Sequence, residues 1–273
     1  MENGINMKSV LITGAYGGMG KETVKLFRNL GYQVFALDIK TEEATQNIIP
    51  IECDITSETS VMNAYEIVKN HTDNLYAIIH FAGIYMLDSL VEMETNNFKK
   101  IFDINVTGVY LINKIFLPLL KNDSRILITT SELAPLDPLP FTGIYAITKS
   151  ALDKYAYSLK MELQLLNIKV SVLRAGAVKT NMIGASTIAL DRFCNNTKLY
   201  SCNAKRFKSI VDSVEARNIP PSKIAVKALS IIKKRNPKFA YKINRNPLLL
   251  MLNVLPQKLQ FFIIKQILKN KEK

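Results

Sequence analysis

The chain has 273 residues, of which 48% are hydrophobic and 22% are charged, a balance that excludes a disordered or collagen-like polypeptide. Lysine and arginine outnumber aspartate and glutamate by 36 to 23, so the net charge of +13 raises the question of a nucleic-acid or membrane partner. Three cysteines without a CxxC pair and two histidines give no zinc-binding spacing, so we expect no metal site and a reducing, cytoplasmic setting.

Short apolar segments alternate with amphipathic segments along the first 176 residues. The segments are predicted as strands over 9–13, 32–38, 48–54, 75–83, 125–131 and 168–176, and as helices over 21–31, 57–70, about 95–121 and 143–166. Strands that alternate with helices imply parallel βαβ units. We therefore predict an α/β fold, a doubly wound parallel sheet of the Rossmann type in one domain over residues 1–245. Such a sheet binds ligands beyond the carboxyl ends of its strands.

A glycine-rich loop, TGAYGGMG over residues 13–20, joins the first strand to the first helix. Free N–H groups at a helix N-terminus bind anions, so the loop fits a pyrophosphate, although a plain glycine-rich turn is the alternative. Gly14 would make the tight turn, Gly18 would let the backbone approach phosphate, and Gly20 would let helix and strand pack closely. The cofactor-binding residues predicted in this loop are Gly14, Tyr16, Gly18, Met19 and Gly20.

The second and third predicted strands each end in a carboxylate. Asp38, 24 residues after Gly14, can accept hydrogen bonds from an adenosine ribose and would repel a 2′-phosphate, which favours NAD over NADP. Lys40 lies close enough to keep NADP open as the cofactor. For Asp54 two interpretations have equal weight, a contact to the adenine and a helix-capping acid before Ser57.

Tyr145 and Lys149 form a YxxxK motif near the start of the helix that follows the fifth strand. A spacing of four places both side chains on one helix face. A nearby ammonium group favours the phenolate and lowers the tyrosine pKa, so the pair makes an acid/base catalyst. A solvated helix face is the alternative, and the position of the motif after the strand that bears Ser131 argues against it.

Over about residues 1–245 the chain resembles the classical short-chain dehydrogenase/reductase family. The resemblance is carried by TGAYGGMG (13–20), Asp38, Asp54, Ala82-Gly83, Asn105 within DINVTG, Ser131, YAITK (145–149) and AGAVKT (175–180). Several motifs in the right order at the right spacings are far more specific than any one of them. The resemblance implies a Rossmann fold and an NAD(P)-dependent oxidoreductase.

The resemblance also implies residue roles. Tyr145 would be the general acid in carbonyl reduction and the general base in alcohol oxidation, while Lys149 would depress its pKa and hold the nicotinamide ribose. Ser131 would hydrogen-bond the substrate oxygen, and Asn105 would bind a water that links Lys149 to solvent at a kink in the long helix. The cofactor contacts that it implies elsewhere are Ala82, Gly83, Val178 and Thr180, besides Asn105, Tyr145 and Lys149.

Two of the chain's departures from the family pattern concern candidate side chains. His80 stands where an asparagine is usual, and we expect it to be a packed residue beside the adenosine rather than a catalytic one. Ser131 precedes Tyr145 by 14 residues, one more than usual, so Thr130 is a second candidate for the same role.

Residues 181–219 follow the sixth strand and are predicted to form a substrate lid, in which apolar and basic side chains are interspersed. One interpretation is an amphipathic helical cover with a solvated face. The other is an apolar pocket for a lipid-like alcohol or ketone.

The positive charge is concentrated near the C-terminus. Residues 1–220 carry 23 basic and 22 acidic side chains, whereas residues 221–273 carry 13 basic side chains and one acidic. Residues 246–273 are predicted as a basic, apolar helical tail, in which Lys258, Lys265 and Lys269 form one narrow stripe. The alternatives for this tail are an anionic lipid surface, a dimer interface and a cover over the substrate pocket.

The sequence thus predicts an NAD(P)-dependent oxidoreductase that interconverts a secondary alcohol and a ketone, or an alcohol and an aldehyde, on an apolar, lipid-like substrate. The alternative is a catalytically idle dinucleotide-binding regulatory protein. We expect no nucleic-acid partner, because the basic tail is apolar and no recognised module is present. We expect a homo-oligomer in the cytoplasm, with peripheral contact of residues 247–273 at the inner membrane surface as one alternative.

Overall fold

The computed structural model describes residues 7–215 and 218–269 and contains a seven-stranded parallel sheet. Its strands are β1 (Ser9–Thr13), β2 (Gln33–Asp38), β3 (Ile48–Glu52), β4 (Leu75–His80), β5 (Arg125–Ser131), β6 (Lys169–Ala175) and β7 (Ala240–Ile243). The order across the sheet is β3-β2-β1-β4-β5-β6-β7, so the predicted doubly wound sheet is confirmed. The winding reverses between β1 and β4, which is where such sheets bind their ligands.

The strands form where continuous apolar runs can be buried on both faces of the sheet. In β1, Leu11 packs into the core on one face, while Val10 and Ile12 pack into the core on the other. Burial on both faces is typical of parallel sheets covered by helices on each side. Six strands were predicted from such runs, and β7, the four-residue edge strand, was not.

Ten α-helices lie between and after these strands in the described parts of the chain. They are α1 (Gly18–Asn29), α2 (Glu58–Lys69), α3 (Thr95–Phe102), α4 (Gly108–Phe116), α5 (Gly143–Leu163), α6 (Asn181–Asn196), α7 (Ser201–Glu215), α8 (Pro221–Ile232), α9 (Pro247–Val254) and α10 (Gln257–Leu268). The predicted lid contains two of them, α6 and α7.

The long helix predicted over about 95–121 is interrupted. Residues Asp103–Thr107 form a π-helical turn between α3 and α4, and Asn105 is buried within it. A 3-10 turn at Leu117–Leu119, which contains Pro118, ends the segment. Such π-turns alter the backbone hydrogen bonding of a helix and frequently occur at functional sites.

The C-terminal tail forms two helices that fold back onto the protein. The break falls at Leu255 and Pro256, because a proline disfavours helical backbone in the residue before it, and Leu255 is extended (ψ 151°). Leu268 of α10 is buried in a core cluster that includes Phe193 of α6 and Phe207 of α7. In the described part of the chain, no helix is long and apolar enough to cross a bilayer.

The charge of the C-terminal fifth lies mainly before the tail. Of the 13 basic residues between 221 and 273, eight belong to residues 221–245, which form α8, the connecting loop and β7. The tail itself holds five lysines and one glutamate. Most of the basic residues of the C-terminal fifth therefore lie outside the apolar helices of the tail.

Candidate active site

The glycine-rich loop is packed so closely that two of its positions exclude a larger side chain. Gly14 has a φ of +65°, and a Cβ there would lie 2.6 Å from the backbone nitrogen of Ala82. A Cβ on Gly20 would lie 2.0 Å from the carbonyl oxygen of Gly14, so α1 can approach the loop only with glycine there. The turn and the close packing predicted for these two residues are present.

The segment that follows β6 contacts the same loop at Gly18. A Cβ on Gly18 would lie 2.6 Å from Cγ2 of Thr180, which follows β6 just before α6. Val178 is buried and pairs with Ile219 in a short parallel bridge. These contacts bring the AGAVKT segment over the glycine-rich loop.

Asp38 at the end of β2 is held by the loop backbone. Its carboxylate accepts hydrogen bonds from the backbone nitrogen of Tyr16 (2.9 Å) and from that of Ile39 (2.8 Å). Asp54 instead shapes its own turn, since its Oδ1 accepts from the backbone and the hydroxyl of Thr56. The residue that caps α2 is Ser57, which accepts from the backbone nitrogen of Ser60.

These residues border a groove of about 1110 Å³ at the carboxyl ends of the central strands. The predicted cofactor-binding residues that line the groove are Gly14, Tyr16, Gly18, Met19, Gly20, Asp38, Asp54, Ala82, Gly83 and Thr180. An extended site with a helix N-terminus at its centre and a carboxylate at the end of the second strand fits a dinucleotide. The N–H groups of the loop and the carboxylate of Asp38 therefore suit NAD or NADP.

Asn105, in the π-helical turn, forms hydrogen bonds with the loop that follows β4. Its Oδ1 accepts from the backbone nitrogen of Ile84 (2.8 Å), and its Nδ2 donates to the Ile84 carbonyl (3.0 Å) and to Oγ1 of Thr148 (3.2 Å). A Cβ on Gly83 would lie 3.1 Å from Asn105 Oδ1 and 3.5 Å from Lys149 Nζ. Asn105, Gly83 and Lys149 therefore meet at one point.

Tyr145 and Lys149 lie on the first turns of α5 and face β5. The Nζ of Lys149 is 5.7 Å from the centre of the Tyr145 ring and donates to the carbonyl oxygen of Thr129 on β5 (3.4 Å). Tyr145 and Ser131, at the end of β5, line the same cavity. The structure thus brings together Asn105, Ser131, Tyr145 and Lys149.

Burial changes the acidity of the Tyr145–Lys149 pair in a way that the spacing did not predict. Burial raises the pKa of Tyr145 to about 12, and the nearby hydroxyl of Ser131 opposes this rise only in part. Burial also lowers the pKa of Lys149 to about 8. The sequence predicted a lowered tyrosine pKa, and this direction is wrong because desolvation of the phenol outweighs the ammonium group, which lies 5.7 Å from the ring centre.

A second, smaller cavity of about 250 Å³ adjoins Ser131 and Tyr145. Its lining includes residues outside the predicted site, among them Tyr85, Glu132 and Leu249. The Tyr85 ring is 4.9 Å from that of Tyr145. Leu249 comes from α9, so the tail covers part of this cavity, which was one of the three alternatives for it.

His80 and Thr130 have structural partners. His80 is buried, its Nε2 is 2.9 Å from Oδ1 of Asn113, and burial lowers its pKa to about 4. Thr130 donates a hydrogen bond to Asp153 (3.3 Å), which also holds Arg174. These contacts favour the packed interpretation of His80, and they leave Ser131 as the hydroxyl beside Tyr145.

Comparison with known proteins identifies relatives over most of the chain. Residues 8–190, more than half of the chain, match the family described as short chain dehydrogenase. The chain is 29% identical over 198 residues to estradiol 17-beta-dehydrogenase 2 of Mus musculus, a match that covers 67% of this chain and 51% of that protein. The chain therefore spans about half the length of that relative.

Two further proteins match along nearly their whole length. The chain is 25% identical over 235 residues to 3-ketodihydrosphingosine reductase of Bacteroides thetaiotaomicron, which covers 86% of this chain and 87% of that protein. A crystal structure of a short chain dehydrogenase family protein from Francisella tularensis has the same fold, with a TM-score of 0.73 and 23% identity. It covers 87% of this chain and 97% of that one.

Proposed function

Because the chain belongs to the short chain dehydrogenase family of NAD(P)-dependent oxidoreductases, we propose that it interconverts a secondary alcohol and a ketone, or an alcohol and an aldehyde, on an apolar, lipid-like substrate. The observation that carries this proposal is the meeting of Ser131, Tyr145 and Lys149 at a cavity beside the glycine-lined groove. An idle dinucleotide-binding protein would not need these three groups at one point.

NAD is the cofactor we propose, held by the residues that line the groove. The loop of Gly14, Gly18 and Gly20 would face the pyrophosphate, and Asp38 would accept hydrogen bonds from the adenosine ribose. Lys40 also borders the groove, which leaves NADP as the alternative. When bound, the nicotinamide supplies or accepts the hydride.

The protein's own part in the reaction is to position the substrate oxygen and to move one proton. Ser131 would donate a hydrogen bond to the carbonyl oxygen, and Tyr145 would give it the proton as the alkoxide develops. In alcohol oxidation, Tyr145 would take that proton back. Lys149 would stabilise the phenolate electrostatically, and Asn105 would hold the π-turn open for a water that returns the proton from solvent.

The apolar wall of the cavity supports the proposed class of substrate. Leu133, Leu139, Phe207 and Leu249 provide apolar surface around the hydroxyl groups of Ser131 and Tyr145. Such a cavity suits a substrate with one reactive oxygen on an extended or ring-shaped hydrocarbon. Two relatives are named for estradiol and for 3-ketodihydrosphingosine, which are lipids with such an oxygen, and their names support this class.

A panel of steroid, retinoid and long-chain acyl ketones tests the proposal, with reduction followed by the absorbance of NADH or NADPH. We expect turnover of at least one class, and faster turnover with NADH. Ser131→Ala should lower kcat roughly 100-fold or more, because the substrate oxygen loses a hydrogen-bond donor. Ser158→Ala, on the exposed face of α5, is the matched control and should leave kcat unchanged. A protein that binds NADH but turns over no ketone would instead support the idle alternative.

A further inference from the structure

The two C-terminal helices expose large apolar side chains on the face turned away from the protein. In α9, Leu248, Met251 and Val254 recur every third residue and are 60%, 68% and 84% exposed. In α10, Phe261 and Phe262 are 72% and 57% exposed. We call these five residues and the lysines beside them, Lys258 and Lys265, the tail face. Large exposed apolar surfaces of this kind mark interaction sites.

The opposite side of the tail contacts the body of the protein through hydrogen bonds and one buried side chain. The backbone nitrogen of Asp137 donates to Oδ1 of Asn253 in α9 (2.7 Å). The side chain of Gln260 in α10 donates to Oδ2 of the same Asp137 (3.3 Å). Leu268 is buried in the core cluster beneath the lid helices. The apolar residues of the tail face are therefore left exposed by a segment that is already folded.

The charges of the tail face point to its partner. Lys258, Phe261, Phe262 and Lys265 are spaced i, i+3, i+4 and i+7, so they share one side of α10. Residues 246–269 contain three lysines and no acidic residue. Exposed aromatic rings whose only charged neighbours in the tail are lysines suit the boundary of an anionic bilayer. There the rings enter the interface and the ammonium groups contact lipid phosphates.

A second copy of the chain fits this surface less well. In a two-fold dimer the same patch meets itself. The lysines of one tail face would then approach those of the other, with no acid in residues 246–269 to compensate them. A bilayer of anionic lipids supplies the opposite charge and an apolar layer together.

We propose that the tail face docks on an anionic lipid surface and holds the substrate cavity beside it. The link to the cavity is α9, in which Leu249 lines the cavity while the adjacent Leu248 is exposed. A lipid-like substrate could then pass from the bilayer to Ser131 and Tyr145 with little exposure to water. Docking does not depend on the proposed catalytic function, whereas this route of entry rests on it.

Sedimentation of the full-length protein with vesicles tests the docking. Vesicles of phosphatidylcholine alone are compared with vesicles containing phosphatidylglycerol. We expect at least tenfold tighter binding to the anionic vesicles. Both Phe261→Ser/Phe262→Ser and Lys258→Glu/Lys265→Glu should weaken that binding at least tenfold, because each removes one of the two contributions.

Matched controls carry the same changes elsewhere on the surface. Leu165→Ser/Leu166→Ser replaces exposed leucines after α5, and Lys233→Glu/Lys234→Glu reverses two exposed charges after α8. Both should bind anionic vesicles within twofold of the wild type. Unchanged NADH affinity and thermal unfolding of every variant will show that the fold is intact.

Three results would overturn docking: no preference for anionic vesicles, equal binding by the tail-face variants, or a wild-type dimer that Phe261→Ser/Phe262→Ser converts to a monomer. The last result would assign the surface to a second copy. Vesicle binding without turnover of any ketone would remove the proposed function and leave docking intact. Turnover of a ketone without vesicle binding would remove docking and leave the proposed function intact.

Discussion

The backbone nitrogen of Asn246 donates a hydrogen bond to the carboxylate of Glu132 at 2.5 Å. Glu132 follows Ser131 directly, and Asn246 caps α9 by accepting a hydrogen bond from the backbone nitrogen of Leu248. Burial raises the pKa of Glu132, and the bond from Asn246 and the charge of Arg245 oppose that rise. One carboxylate thus joins the end of strand β5 to the start of the tail.

Glu132→Ala should therefore loosen the tail. Without the carboxylate, the backbone nitrogen of Asn246 loses its partner, and we expect amide hydrogens in α9 to exchange at least tenfold faster. Hydrogen–deuterium exchange followed by mass spectrometry measures this directly. Glu162→Ala, at an exposed position of α5, is the control. Unchanged exchange in α9 would show that the bond does not hold the tail.

Gly20→Ala should destabilise the protein by at least about 2 kcal/mol, because the added Cβ would meet the Gly14 carbonyl oxygen at 2.0 Å. Gly17→Ala is the matched change in the same loop. Its Cβ would lie 3.3 Å from the same oxygen, so we expect a cost below about 1 kcal/mol. Urea unfolding of both variants gives the two values, and equal values would contradict the close approach of α1 to the loop.

Asp38→Ala should relax the discrimination against NADP. Removal of the carboxylate removes its repulsion of a 2′-phosphate and its hydrogen bond to the ribose. We expect the ratio of the NADPH and NADH dissociation constants, measured by fluorescence titration, to fall at least tenfold. Glu66→Ala, at an exposed position of α2, should leave the ratio unchanged. A ratio that stays constant in Asp38→Ala would exclude Asp38 from cofactor choice.

His80 should make the fold sensitive to acid. Its pKa is about 4 in the folded protein and near 6.5 in the unfolded chain, so between these values only the unfolded state binds the proton. The free energy of unfolding should therefore fall by up to about 3 kcal/mol as the pH drops from 7 to 4.

His80→Asn should remove this part of the pH dependence while keeping a polar side chain near Asn113. The measurement is urea unfolding of wild type and variant at a series of pH values. His71→Asn, which replaces the exposed histidine, should keep the wild-type slope. A slope that is the same for wild type and His80→Asn would contradict the assignment to His80.

The sequence predicted most of the sheet because its strands are buried on both faces. The segment 125–131 has three consecutive apolar residues, Ile126 to Ile128, followed by two β-branched threonines, and the structure has the same boundaries for β5. The strand β7 has only four residues, none of them fully buried, so its sequence carries no comparable signal. It is a strand because it pairs with β6, where Leu173 lies opposite Tyr241.

The parts of the site that depend on short sequence spacing were predictable. The contacts between residues far apart in the sequence were not. Tyr145 and Lys149 are four residues apart on one helix, so their shared face follows from the sequence. Glu132 and Asn246 are 114 residues apart, and no pattern near either residue indicates that they meet. The pKa of Tyr145 was predicted in the wrong direction for the same reason, because spacing does not reveal burial.

The central claim is that Tyr145 transfers the proton while the bound dinucleotide transfers the hydride, and Tyr145→Phe tests it most directly. With a ketone that the wild type reduces, we expect kcat to fall roughly 100- to 10,000-fold. The dissociation constant for NADH should stay within about threefold, and Tyr157→Phe, on the exposed face of α5, should behave as wild type. Turnover that survives within a few-fold in Tyr145→Phe, with NADH still bound, would contradict the account.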